Sequence, residues 1–457
     1  MKKALVLLSG LAVALALGHP WSCYHGDPQH SGRSQNVVGA PLSRVSAYRA
    51  GGEVQGSPVV RQDGNVLVGA KDVKLYCLDP DLDSAVWIAD LTPYGSSIYY
   101  SSPALDDSGN AYITTSGKLV KVSTDGAVLW AWPTDRTLSI SHSPVVAPNG
   151  DVFFACYSES LYAVKPDGTL DWARSLENSV NSAPAISPDG HVCVATTRGT
   201  GGWSLWAWTF DGTTSWQAPI ADEADFASPA AAPDSTVYFG AGRYLYAVGP
   251  GGVVKWRDSL PAMIQSCPAV ANESTLYVVA GSRLYCIDTD SGVRWRKSIG
   301  GSSNYCSPAV DAEGNVYVGT AGAASSVFYC IGPDSTVRDS HALSDDIWSS
   351  PAVGAGGRVY FGCMNDSIYL FTGPGAAVAE PHVGARMPSI RLLPNLTHGV
   401  LRLAPAGRYA AKVFDIGGSL VAVIRDADEI DLRELRRGVY LVQVAAPGCA
   451  PQKVVLH

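Results

Sequence analysis

The sequence predicts an all-β chain: an eight-bladed β-propeller of four-stranded blades, plus a small C-terminal β-sandwich. Three observations predict it. A small residue followed by Pro and then Ala or Val recurs at Pro58, Pro103, Pro144, Pro184, Pro229, Pro268, Pro308 and Pro351, in steps of 45, 41, 40, 45, 39, 40 and 43 residues. That is the length of one four-stranded blade. Between these marks, short runs of β-branched, aromatic and small residues end in Asp125-Gly126, Asn149-Gly150, Asp167-Gly168, Asp189-Gly190 or Asp211-Gly212, pairs that accept the positive φ of a tight hairpin. A tryptophan also returns once per unit at Trp87, Trp130, Trp172, Trp216, Trp256 and Trp295.

The elements follow in order. Residues 1–18 read as a signal peptide: Lys2 and Lys3, an apolar run from Ala4 to Leu17, and small residues Ala16 and Gly18 ahead of His19. A membrane anchor is the alternative, but the run is short for a span. Cys23 follows Pro20-Trp21-Ser22, which lacks the small residues of a lipoprotein processing site. Residues 19–42 form a lead segment and 43–374 the propeller. One unit shows the logic. Cys306 to Val310 is a first strand, Glu313-Gly314-Asn315 a turn, Val316 to Gly319 a second strand and Phe328 to Ile331 a third. Val293 to Arg296 gives the fourth strand of the preceding unit. The eighth unit ends at Thr372-Gly373-Pro374 without a fourth, Trp-bearing strand. Ser43 to Ala50 precedes the first unit without a partner, so it is expected to complete the last blade and close the ring. Residues 375–388 read as a Gly/Ala/Pro-rich linker and 389–457 as the second domain.

The unit Ser-Pro-Ala-Val, Gly-Asn-Val-Tyr-Val-Gly, Leu-Tyr-Cys-Ile-Asp, Gly-Val-Arg-Trp resembles the repeat of pyrroloquinoline-quinone (PQQ)-like propellers. Trp21, Gly26 to Gln29 and Ser31 to Ser34 are similar to the segment that often precedes such propellers in exported bacterial proteins. The C-terminal runs Pro394 to Val400, Ala411 to Gly418 and Leu432 to Val444 resemble a type A sorting domain of the type IX secretion pathway. This chain has Pro394-Asn395-Leu396 where that family usually carries Pro-Asn-Pro. The resemblance implies contact with the secretion machinery. A generic adhesive β-sandwich is the alternative.

Hydrophobic residues make up 46% of the chain and charged residues 16%, with net charge −8. No basic stripe is present, which speaks against nucleic acid as a partner; a monomer is expected. The 10 cysteines suit an exported, disulfide-bearing protein. However, Cys77, Cys286 and Cys330 share one repeat slot with Ala163, Ala207 and Ala247, which reads as a small buried strand position holding free thiols.

No catalytic or metal-ligating residue set emerges. Asp79-Pro80-Asp81-Leu82-Asp83 with Asp90 resembles the start of a calcium loop, but Ser84 stands where the loop needs Gly, and the segment falls in a hairpin. The nine histidines, His142 among them, show no metal or triad spacing. The resemblance allows a PQQ- and calcium-dependent dehydrogenase, yet no two cysteines are adjacent as they often are near the cofactor in that family. No cofactor is expected outside that reading. The Trp series reads as blade-to-blade packing, each ring contributing roughly 2–3 kcal/mol. One constellation suggests binding. The residues three before each repeat Pro are Gln55, Tyr100, Ser141, Asn181, Phe226, Gln265, Tyr305 and Trp348. Propeller geometry brings them into one ring at the channel mouth, and all but Ser141 are candidate ligand-binding residues. Aromatic faces and amides together suit peptide or glycan contacts; loop positions that simply vary are the alternative. The expectation is an exported, non-enzymatic binding or scaffold module at the cell surface. A quinoprotein dehydrogenase and an outer-membrane protein assembly factor are the alternatives.

Overall fold

A computed structural model describes residues 21–375, apart from 134–137, 139, 141, 158, 177, 198–201, 302–304 and 323–325; beyond 375 it describes only the backbone of strands. The signal-peptide residues, Ser141 and the Pro394-Asn395-Leu396 motif lie outside the described residues. The chain divides into two compact units, 1–378 and 379–457.

The first unit is an eight-bladed propeller, each blade a four-stranded antiparallel sheet. Blade 1 is typical: Val59–Val60, Val66–Ala70, Lys74–Leu78 and Ala85–Asp90 pair in sequence order. Blades 2 to 7 span 104–132, 145–175, 185–219, 230–259, 269–298 and 309–343. Blade 8 takes three strands from 352–372 and its fourth from Ser43–Arg49, which runs antiparallel to Ser367–Thr372. The ends of the propeller are thus joined in one sheet, which closes the ring.

Burial falls from the axis outward. Every residue of Val66–Ala70 is buried, because a second strand has a neighbouring blade on each face, which calls for a continuous apolar run. The fourth strand Val253–Ser259 is mostly exposed. On these outer strands the tryptophans latch one blade to the next. Trp87, Trp130, Trp172 and Trp295 donate their indole N–H to the Thr124, Pro166, Phe210 and Pro333 carbonyls of the following blade, at 2.8–3.1 Å. The ring covers a hairpin glycine with positive φ. A Cβ on Gly126 would lie 2.8 Å from Trp87, and one on Gly212 2.7 Å from Trp172. The Asp-Gly turns therefore serve twice, for their own φ and for the neighbour's indole.

The strand register explains the small slot. Cys77, Ala163, Ala207, Ala247 and Cys286 each stand directly across the ladder from a repeat tryptophan; in blade 2 Lys121 takes that place across from Trp130, and both donate to the Pro166 carbonyl. Nine cysteines are described, and all are buried, with no disulfide among the described residues. Burial raises the pKa of the Cys77, Cys306 and Cys330 thiols, which makes them poor nucleophiles.

In the second unit, strands Arg391–Leu393, Val400–Ala404 and Glu429–Asp431 form one sheet. Tyr409–Asp415, Leu420–Ala427, Gly438–Val444 and Gln452–Leu456 form another.

Candidate functional site

The innermost strands are two to four residues long, and their leading residues crowd the axis. The residue directly before each repeat Pro does more than stay small. Its hydroxyl accepts the backbone N–H of the equivalent residue in the preceding blade. Ser57 N–H reaches Ser102 Oγ, Ser102 reaches Ser143, Ala183 reaches Ser228, Cys267 reaches Ser307, Ser307 reaches Ser350, and Ser350 returns to Ser57, all at 2.8–2.9 Å. The two steps without such a bond are those whose acceptor would be Ala183 or Cys267. Small size alone accounts for Gly56 one position earlier, where a Cβ would meet the Ser101 carbonyl at 2.3 Å. The serines answer a further demand, a buried N–H that needs an acceptor.

One end of the axis is filled by the lead segment. Residues 21–38 run across the ends of the inner strands. They exchange backbone hydrogen bonds with Val60, Leu105, Ile186, Ala231, Val270 and Val310 of blades 1, 2, 4, 5, 6 and 7. Trp21, His25 and His30 are completely buried there. Tyr24 reaches the axis, its hydroxyl 2.9 Å from Ser307 Oγ. His25 Nδ1 lies 2.7 Å from the His30 carbonyl and Nε2 2.8 Å from that of Pro308. Two acceptors call for two protons, whereas burial, the larger effect, lowers its pKa. Nothing in the spacing of the sequence foretold this plug, because its bonds are made by backbone groups that any residue carries.

At the other end stand the residues three before each Pro, held by the loops that lead into the innermost strands. Among them the aromatics meet across the axis. Tyr100 touches Phe226, Tyr305 and Trp348 at centroid distances of 5.1, 5.6 and 5.9 Å. Phe226 lies 4.7 Å from Tyr305, which lies 4.9 Å from Trp348. Between this cage and Tyr24 lies a chamber of about 30 Å³, room for one or two waters. Gln55, Tyr100, Phe226, Tyr305 and Trp348 line it with His142 and axial serines.

The amides are engaged to different degrees. Asn181 is buried and saturated: Oδ1 accepts from His142 Nε2 at 2.6 Å and Tyr157 Oη at 2.5 Å, while Nδ2 donates to Asp225 at 2.6 Å. Gln265 Nε2 approaches the other Asp225 oxygen at 3.4 Å. Gln55 Nε2 donates to Glu53, and its buried Oε1 has no partner. Phe226 holds its place with φ of 60°, a strained value for a bulky residue. Burial holds His142 down to about 4, so the ring is neutral and its Nε2–H donates to Asn181. Sequence reasoning passed over His142, Tyr157 and Asp225. The signal for His142 was present: it is the one large residue two places before a repeat Pro, where Gly, Ser, Ala or Cys otherwise stands.

Elsewhere, the Asp79 carboxylate is consumed by its own hairpin, accepting from the N–H groups of Asp81, Asp83 and Ser84. Among the described residues no three His, Cys, Asp or Glu side chains are grouped to hold a metal.

Fold and axis together define an eight-bladed β-propeller closed by its own first strand. A model of the family described as outer membrane protein assembly factor BamB matches residues 115–335, a little under half of the chain. No curated protein matches the sequence. Among solved structures the chain is similar to BamB from Moraxella catarrhalis, at 14% identity and TM-score 0.58, covering 73% of this chain and all of that one. It is also similar to quinohemoprotein alcohol dehydrogenase from Comamonas testosteroni, at 12% identity and TM-score 0.60, covering 83% of each. The computationally designed Ika8 protein matches at 12% identity and TM-score 0.58, covering 72% of this chain and 98% of its own. At these identities the likeness is one of fold, and a designed chain shares it as fully as BamB does. Function therefore has to be argued from the site.

Proposed function

We propose that this chain is an exported, non-enzymatic propeller that binds a partner at the channel mouth and acts as a binding or scaffold module at the cell surface. The observation that carries the reading is the aromatic cage of Tyr100, Phe226, Tyr305 and Trp348, assembled from four blades on one face of the axis. A polypeptide partner suits it: aromatic faces give large contact area at low entropic cost. The export signal and the sorting-like tail support the surface location.

PQQ with a divalent cation does not fit this axis. Tyr24 and the cage leave a chamber of about 30 Å³, and Asn181 has already spent its oxygen on His142 and Tyr157. The second reading, an outer-membrane protein assembly factor, is favoured by the family match over residues 115–335. Location separates the two, since a scaffold at the surface is reached by protease added to intact cells and a periplasmic factor is not. The binding reading is tested by selecting peptide ligands from a random library with the full chain, then measuring them on Tyr100→Ala, Tyr305→Ala and Trp348→Ala. The expected result is loss of affinity of about tenfold or more per substitution. Unchanged affinity in all three would place the binding surface elsewhere.

A further inference from the structure

The chemistry of the mouth is lopsided, and this narrows the partner. We infer that the channel mouth takes the ammonium group of a lysine side chain from a polypeptide partner; this deepens the reading above and rests on it. Three observations carry it.

The mouth is built of aromatic rings. Tyr100, Phe226, Tyr305 and Trp348 enclose the axis from four blades, and clustered aromatic faces attract a cation through their negative quadrupoles.

A carboxylate stands beside them. Asp225 immediately precedes Phe226, and its charge acts on the Tyr100 and Tyr305 hydroxyls, whose pKa values rise chiefly through burial with Asp225 adding to it. Its described partners are the amides of Asn181 and Gln265. Among the described residues it has no Lys or Arg in ion-pair contact.

The unmet polar atom of the chamber is an acceptor. Glu53 can only accept, so Gln55 must turn its Nε2 toward that carboxylate. This leaves Oε1 buried and without a partner, on a residue that lines the chamber. Gln55 as a whole is 4% exposed, so solvent does not meet that demand from outside. The site thus offers a carboxylate, an orphan carbonyl and a cluster of aromatic rings. A donor-rich cation answers all three. Within that class an ammonium on a methylene stem is more compact than a planar guanidinium and suits a mouth narrowed by rings in mutual contact.

The test uses the full chain and blocked pentapeptides Gly-Ser-X-Ser-Gly, with X as Lys, Gln or Glu. Isothermal titration should give the Lys peptide an affinity about tenfold or more above the Gln peptide, with Glu weakest. Asp225→Asn should erase most of the Lys preference, and Trp348→Ala should weaken Lys and Gln peptides alike. Should Asp225→Asn fail to fold, competition on the unmodified protein decides: methylammonium chloride displaces the Lys peptide, and sodium chloride at equal ionic strength does so far less. Equal binding of Lys and Gln peptides overturns the inference, as does a Lys preference that survives in folded Asp225→Asn. If Trp348→Ala weakens binding but no preference for Lys exists, this inference fails while the mouth remains a binding site. If Trp348→Ala changes nothing for any peptide, the mouth reading fails as well.

Discussion

Two positions on the same eight inner strands behave in opposite ways. Directly before the repeat Pro stands Ser six times, broken only by Ala183 and Cys267. Two residues earlier stand Gln55, Tyr100, Ser141, Asn181, Phe226, Gln265, Tyr305 and Trp348. The first position faces the same demand in every blade, an N–H from the neighbour that needs an acceptor, and the demand fixes the residue. The second faces no demand that repeats. Tyr100, Phe226, Tyr305 and Trp348 instead converge into one asymmetric cage. In a ring built from repeats, uniformity marks what holds the ring, and departure from the repeat marks what the ring is for.

The comparison can be broken at either position. The largest expected effect comes from acid, which reaches both ends of the axis. His142 and His30 are held by burial at about 4 and about 3, against an ordinary 6.5, and His25 is also lowered. Between pH 6.5 and those values the unfolded chain binds protons that the folded chain refuses, so stability is full above pH 6.5 and falls as the pH drops toward 4 and below. Thermal unfolding from pH 7.5 to 4 should show a steep fall in Tm; His142→Gln should make it shallower. A flat profile would mean that these rings are not buried and neutral.

Next in size is the serine ring. Ser102→Ala and Ser307→Ala each strand a buried N–H, that of Ser57 and that of Cys267, and should cost about 1–3 kcal/mol each by urea unfolding. The two sites lie far apart on the ring and should add. Gly212→Ala probes the latch. With φ of +78° and a Cβ 2.7 Å from Trp172, it should destabilise by about 1–2 kcal/mol, with the folded-state fluorescence of Trp172 altered. The smallest effect on stability belongs to the mouth. Trp348 is half-buried, and Trp348→Ala should cost about 1 kcal/mol or less while removing binding.

The repeat made most of the fold legible, because a demand met eight times leaves eight marks. The closing strand Ser43–Arg49, the latch tryptophans and the Cys/Ala slot could all be placed by period. The gathering of Tyr100, Phe226, Tyr305 and Trp348 was legible for the same reason: equal register implies a common ring. What the register could not show was contact across the axis, since ring diameter depends on side-chain packing. Tyr157 and Asp225 were hidden because neither occupies a repeating slot. Tyr24 was hidden because the segment that carries it is anchored by backbone hydrogen bonds, which leave no residue pattern. The serine hydroxyls were visible but were read as small when they serve as acceptors.

The most direct test crosses the two positions. Ser102→Ala and Trp348→Ala would be compared on two axes, thermal unfolding and titration with the Lys-containing pentapeptide. The account predicts a crossed result: Ser102→Ala lowers Tm and keeps its affinity, while Trp348→Ala keeps Tm within a few degrees and loses about tenfold or more in affinity. If both variants lose stability and binding in proportion, the mouth is only another part of what holds the ring together.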